Sequence, residues 1–356
     1  MHNLKIDLGN CVKVFAKNST CTKCEEICPH NAISYLENIP NVNDQCIDCG
    51  GCIGVCPTEA ISLKTFDTLE FIFSFLENNE SLISCKKNIP CLATLSVENL
   101  ISLALLSKET ILDLGHCATC PITDPLLNQI NTNILEANSF LKEIQSDKQI
   151  ISKDVHYEEP IKEDEPDRRE FLKRFSVKGA IKSKVEFEQI IEDSQQELSQ
   201  EDTANIRKKI IPNKRKLLFM ALKRVNKPNV YHSFMHEELS FISQKNINDD
   251  CDNCSMCYRI CPTGALQSNK RQTKIDFDPL MCVKCSLCHD VCAPNAITLI
   301  PYNTKELFEP KITELINFKV IRCEECANFF TYFGGEKLCQ RCKIEEEEAK
   351  SLWGIQ

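Results

Sequence analysis

Eight cysteines between residues 251 and 292 restrict what this chain can become more than any other feature. Cys251, Cys254, Cys257 and Cys261-Pro262 spell C-x2-C-x2-C-x3-C. Cys282, Cys285, Cys288 and Cys292 spell it again after twenty intervening residues. Thiolates at this spacing wrap a cubane of iron and sulfide, with three from one tight loop and the fourth from the other run. By that rule Cys251, Cys254, Cys257 and Cys292 share one [4Fe–4S] cluster, and Cys282, Cys285, Cys288 and Cys261 share another. Zinc sites use two C-x-x-C pairs and not four-cysteine runs.

These runs resemble the bacterial dicluster ferredoxins, over roughly residues 245 to 300 and again near residues 8 to 65. The resemblance implies a small fold with pseudo-twofold symmetry whose clusters pass single electrons. Cys292-Ala293-Pro294 departs from the direct Cys-Pro of the family, which keeps the ligand and alters the turn behind it. Thr263-Gly264-Ala265-Leu266 and Asn295-Ala296-Ile297 match the exit that leads into a strand in such folds.

Near the start, Cys46, Cys49, Cys52 and Cys56-Pro57 form a complete run, and Cys21, Cys24 and Cys28-Pro29 a shortened one. Asn18 stands where the shortened run lacks its first cysteine. Cys11 is the available substitute. The assignment is then Cys11, Cys21, Cys24 and Cys56 for one [4Fe–4S] cluster, with Cys46, Cys49, Cys52 and Cys28 for the second. If Cys11 is a spare thiol, the first site has three ligands and suits [3Fe–4S]. Gly50, Gly51 and Gly54 thread the complete run, as expected of a backbone that approaches sulfide closely.

The next stretch is organised differently. Phe66 to Leu76 reads as a buried helix with Asp67 in its first turn. Leu82-Ile83-Ser84 reads as a strand ending at Cys85, Ser96 as the N-cap of a helix through Leu106, and Thr110 to Leu114 as a second strand. Pro121 is placed at the first position of a helix running through Leu126, Ile130, Ile134 and Leu141. Strand, helix and strand at this spacing make a right-handed βαβ unit with parallel strands. Both strand C-termini then lie at one sheet edge, where such folds bind ligands. Cys85, Cys91, Cys117 and Cys120 converge there. The stretch from about residue 80 to 145 resembles the iron–sulfur delta subunit of the methyl-viologen-reducing hydrogenases, which implies [2Fe–2S]. From the residues alone [4Fe–4S], zinc and unmetallated thiols stay open, and His116 reads as a supporting group beside Cys117.

Residues 151–210 read as a charged linker: Glu158 to Glu170 holds seven acids and three bases, so little of it can be buried. Arg168-Arg169-Glu170-Phe171-Leu172-Lys173 copies a twin-arginine export signal, but lysines follow where an apolar run is needed. Its plain reading is an amphipathic helix that docks Phe171, Leu172 and Phe175. Arg207 to Lys227 is basic, and the default is a helix that packs its leucines and leaves its lysines solvated. His232 and His236, one helical turn apart, read as structural. At the end, Cys323-x2-Cys326 and Cys339-x2-Cys342 flank Phe329, Phe330, Tyr332, Phe333 and Gly334-Gly335. That pattern resembles a zinc ribbon, with Zn²⁺ supplying stability to a piece too small for a core; rubredoxin-like iron is the alternative.

The expected fold class is therefore α+β multidomain. A dicluster module over 1–65 is followed by a parallel α/β segment over 66–150, the linker over 151–210, a second dicluster module over 211–305 and a ribbon with acidic tail over 306–356. Twenty-four cysteines without a signal-length apolar N-terminus point to reduced thiols in the cytoplasm. No stretch reaches the ~18 apolar residues of a transmembrane segment. A net charge of −9 argues against general nucleic-acid binding and suits a carrier that meets a positive patch. There is no G-x-G-x-x-G, no H-E-x-x-H and no nucleophile–base motif. The function expected is electron transfer for a partner that supplies the chemistry: a dehydrogenase, hydrogenase or flavoprotein. The rival reading is a thiol-based redox, oxygen-sensing or assembly protein that uses the α/β cysteines, with a low-pKa Cys91 or Cys120 as nucleophile.

Overall fold

The computed structural model describes residues 2–155 and 209–353. The twin-arginine copy and most of the acidic linker lie outside the described residues. Within them the chain alternates short strands and helices. Strand Leu4–Ile6 pairs antiparallel with Ile61–Leu63, and Ile33–Leu36 forms a hairpin with Ile39–Val42. The C-terminal runs repeat this plan: Gln244–Ile247 pairs with Ile297–Ile300, and Leu266–Ser268 with Lys274–Phe277. Strand Thr313–Asn317 then extends the second hairpin.

One turn recurs four times and gives both halves their twofold character. Three residues after Cys28, Cys56, Cys261 and Cys292 stand Asn31, Glu59, Gly264 and Asn295, all with positive φ. Next comes Ala32, Ala60, Ala265 or Ala296, each at most 2% exposed. The four alanine carbonyls accept from Asn43, Asp7, Asp278 and Asn248 at 2.7–3.0 Å. Only a methyl-sized side chain fits so close to the cysteine loops. The altered Cys292-Ala293-Pro294 sequence makes the same turn.

Residues 82–153 form a three-stranded parallel sheet in the order Leu82–Ile83, Thr110–Asp113, Ile150–Lys153. The third strand extends the α/β unit past the two strands read from the sequence. Its helices are Thr68–Glu77, Val97–Leu106 and Thr123–Glu143. Asp67 caps the first through Glu70 N, and Ser96 caps the second in a capping box with Asn99. The third helix starts at Thr123, after a turn at Cys117–Thr119, so Pro121 precedes it and does not occupy its first position.

The turn Leu92–Thr94 lies directly on helix Gly51–Val55 of the first cysteine module. This explains the glycines better than approach to sulfide does. A Cβ on Gly54 would stand 2.1 Å from the Ala93 carbonyl oxygen, and one on Gly50 would stand 2.5 Å from Thr94 Oγ1. Gly54→Ala is thus expected to destabilise the protein by about 1–3 kcal/mol through overpacking, measurable as a lowered urea midpoint. An unchanged midpoint would mean the two units slide apart freely.

Helix Asn213–Leu222 packs Leu217 and Leu218 against Val97–Leu106. Its bases are not solvated, contrary to the sequence reading: Arg215 is fully buried, and Lys214 and Lys216 are nearly so. Lys214 and Arg215 pair with buried Glu98 across 3.8 and 2.5 Å. Phe140 meets Phe234 and Phe241 at 6.1 and 5.5 Å, joining the α/β helix to the strap over residues 223–243. One apolar core therefore runs from Leu4 to Tyr302, and a second fills the C-terminal cysteine module. Strands Val320–Arg322 and Phe329–Thr331 make the final hairpin, followed by helix Gln340–Trp353.

Candidate metal centres

The cysteines gather in groups drawn from separate segments. Cys28 joins Cys46, Cys49 and Cys52 around one small cavity, and Cys11 joins Cys21, Cys24 and Cys56 around another. Cys251, Cys254 and Cys257 line a third with Cys292. Cys285 lies in the electrostatic field of Cys261, Cys282 and Cys288. Cys11 is the N-cap of the short helix Val12–Phe15, where it lies in the field of Cys56 and raises Cys21.

The loops are shaped for these gatherings. In each complete run the residue before the second cysteine and the one after it have positive φ: Asp48 and Gly50, Asn253 and Ser255, Lys284 and Ser286. Non-glycine residues in this region cost about 1–3 kcal/mol each, an expense typical of functional loops. The shortened Cys21–Cys28 run lacks both and begins its helix at Lys23. Backbone N–H groups of Ala32, Ala60 and Ala296 donate to Cys28, Cys56 and Cys292 Sγ at 3.2–3.3 Å. Tyr35 Oη lies 3.0 Å from Cys24 Sγ and Ser243 Oγ 3.2 Å from Cys282 Sγ. Such contacts tune a cluster. Sequence reasoning missed both hydroxyls, since neither lies inside a cysteine run.

Burial makes the metal-free thiols hard to ionise. It raises Cys24, Cys91 and Cys288 from the ordinary 9.0 to about 12, and Cys117 to about 11. Cys52, Cys257 and Cys285 move the same way, with neighbouring thiolates adding to burial. Only cations held among these sulfurs make their thiolates tolerable. The sign follows from folded pKa values above the unfolded ones. The contribution to stability is whole below pH ~9 and is lost as pH rises toward ~12. Metal-free protein is expected to unfold at lower denaturant at about pH 10.5 than at about pH 8, while the iron-loaded form does not. Equal midpoints for the metal-free form would contradict this.

At the α/β sheet edge, Asp113 is fully buried and accepts from Ser84 Oγ, Gly115 N and Val155 N at 2.7, 3.0 and 3.1 Å. It ties together the ends of all three strands, where the Cys85 and Cys117 loops begin. Cys91 feels Cys117 and Cys85, and Cys117 feels Cys85 and Cys120. His116 occupies the N-cap position of the Cys117–Thr119 turn, without a side-chain cap bond, and sits near Asp113. His232 and His236 are not on a helix; each faces a carboxylate, Glu143 at 3.0 Å and Glu237 at 3.2 Å.

Among the described residues, one set of metal-ligating groups has all its donor atoms within 4.8 Å of one another: Cys323, Cys326, Cys339 and Cys342. Cys326 and Cys339 Sγ are 3.7 Å apart. Zn–S bonds of about 2.3 Å at tetrahedral angles would separate sulfurs by about 3.8 Å, so the four fit a single ion. Although desolvation opposes it, backbone N–H groups of Cys326, Cys339 and Glu325 pull Cys323 down to about 6. The Cys339 thiol raises Cys342.

Folds that bring cysteines together from paired runs define an iron–sulfur protein with [4Fe–4S] domains. Comparison with known proteins agrees. Residues 250–296 match the 4Fe-4S dicluster domain, and residues 18–67 match the LdpA Fe-S cluster-binding domain. A ferredoxin of Rickettsia felis is 32% identical over 73 residues, which cover 18% of this chain and 67% of the relative. The chain belongs to the ferredoxin family. One component of the ion-translocating oxidoreductase complex of Methanosarcina acetivorans is 40% identical over 45 residues, 12% of this chain and 17% of that protein. An uncharacterized ferredoxin of Methanocaldococcus jannaschii is 39% identical over 54 residues, 15% and 36% of the two lengths. No solved structure matches the chain at a significant level. Among the described residues no helix is long and apolar enough to cross a membrane.

Proposed function

We propose that this chain carries single electrons between redox enzymes through four [4Fe–4S] clusters and a fifth centre in the α/β segment. The observation that carries the reading is the repeated convergence of cysteines from two separated segments on one small cavity. Cys11, Cys21, Cys24 and Cys56 would hold one cluster, and Cys28, Cys46, Cys49 and Cys52 the next. Cys261, Cys282, Cys285 and Cys288, and Cys251, Cys254, Cys257 and Cys292, would hold the others. When bound, the clusters supply reversible one-electron chemistry. The protein supplies thiolates, backbone N–H donors and burial. A dehydrogenase, hydrogenase or flavoprotein is the partner class, and likeness to a component of an ion-translocating oxidoreductase complex supports such a partner.

For Cys85, Cys91, Cys117 and Cys120 we favour [2Fe–2S]. Their mutual influence without single-ion spacing suits a polynuclear centre better than zinc. The ribbon thiols suit Zn²⁺. A thiol-based redox role fares worse at Cys91, which burial raises to about 12 and makes a poor nucleophile at neutral pH. Cys91→Ala separates the two readings: iron content should fall by about two atoms with loss of a [2Fe–2S] signal. Full iron retention with loss of one reactive thiol would favour the redox-thiol role.

A further inference from the structure

Two adjacent buried cations occupy the junction between the two cysteine modules. Lys214 Nζ donates to the carbonyl of Cys56 at 2.5 Å. Arg215, the next residue, donates through Nη1 to the carbonyl of Cys282 at 2.9 Å. Each cation thus grips the backbone of a cysteine from a different module, and Glu98 lies between them. A second pin lies on the surface nearby: Thr20 N and Oγ1 both donate to Asp290 at 2.9 Å. Thr20 precedes Cys21, and Asp290 stands between Cys288 and Cys292.

The first module is closed in a similar way against the α/β segment. The turn behind Cys91 lies on the Cys49–Cys56 backbone, where Thr94 Oγ1 donates to Cys49 O at 3.4 Å and Gly54 leaves no room for a Cβ. In the C-terminal module Cys254 is exposed. From these contacts we propose that the cysteine sites form one unbranched series, named by one member each: Cys91, Cys49, Cys56, Cys282, Cys254. The Lys214–Arg215 clasp is the joint that carries the series from one module to the other. This ordering rests on the electron-transfer reading above.

The order is read by electron paramagnetic resonance of anaerobic protein reduced stepwise with dithionite, in which neighbouring reduced clusters broaden each other and speed each other's relaxation. Cys285→Ala takes the [4Fe–4S] cluster out of the fourth site of the series, the Cys282 site. The Cys56-site signal should then lose the part of its broadening that comes from the Cys282 site and saturate at lower microwave power, while the Cys49-site signal keeps its own. A Cys56-site signal unchanged by this variant overturns the series. Cys254→Ala, at the exposed end, is the second variant in case the first does not fold. It should alter the Cys282-site signal alone; altered Cys49 or Cys91 signals beside an unmoved Cys282 signal overturn the order. Asp290→Ala should weaken coupling across the joint with iron content unchanged. Failure of the underlying reading looks different, because wild-type protein would then lack the iron itself.

Discussion

Arg215→Ala should destabilise the protein by about 3–5 kcal/mol, the loss typical when one member of a buried ion pair is removed. Arg215 is fully buried and Glu98 is 2% exposed. Nε donates to Glu98, Nη1 to the carbonyls of Leu280 and Cys282, and Nη2 to that of Phe241. Truncation orphans three carbonyl acceptors and leaves a buried carboxylate facing only Lys214 at 3.8 Å. The guanidinium also lies 5.7 Å from the Phe241 ring centre, so packing is lost with the charge. Urea unfolding of the iron-loaded protein measures this. Pairing Arg215→Met with Glu98→Leu should recover only part of the loss, because buried Lys214 then lacks its carboxylate and the three carbonyls still lack their donor. A single-variant loss under about 1 kcal/mol would mean that water reaches the junction and the clasp is not what joins the modules.

Cys292→Ala should abolish the [4Fe–4S] signal of its site, with loss of at least about one iron atom because three remaining thiolates suit [3Fe–4S], and soften the C-terminal module. Its partners Cys251, Cys254 and Cys257 come from a loop that spends two left-handed residues, Asn253 and Ser255, to aim its sulfurs. Without the fourth thiolate that strain is uncompensated, and cluster binding energy no longer contributes to folding. Iron analysis and the unfolding transition report the two losses together. Retention of all iron would mean that Cys292 is not a ligand and that the Cys292-Ala293-Pro294 departure has real consequences.

The cysteine groups were legible because a cubane demands a short loop plus one remote thiol, and spacing alone records that demand. The βαβ core was legible too, since Ser96, the run from Val97 to Leu106 and Thr110 to Asp113 carry local signals. The clasp was not. Lys214 and Arg215 sit in a basic run that ordinarily means a wetted face, and their partner is more than a hundred residues away in sequence. The clue available was Glu98, an acid inside an otherwise apolar helix start, which implies a buried cation somewhere. Ile150–Lys153 went unread because four residues ending in Ser-Lys beside an acidic stretch carry no strand signature. The Cys-x3-Ala repeat was visible in the sequence but acquires meaning only from the left-handed turn and carbonyl contacts around each alanine.

Iron and acid-labile sulfide in anaerobically purified full-length protein, counted alongside its visible absorbance, test the central claim most directly. Brown protein is expected, with about 16 iron atoms in four cubanes and about two more at the Cys91 site, and sulfide in equal number. Colourless protein with a few zinc ions and no sulfide would contradict it.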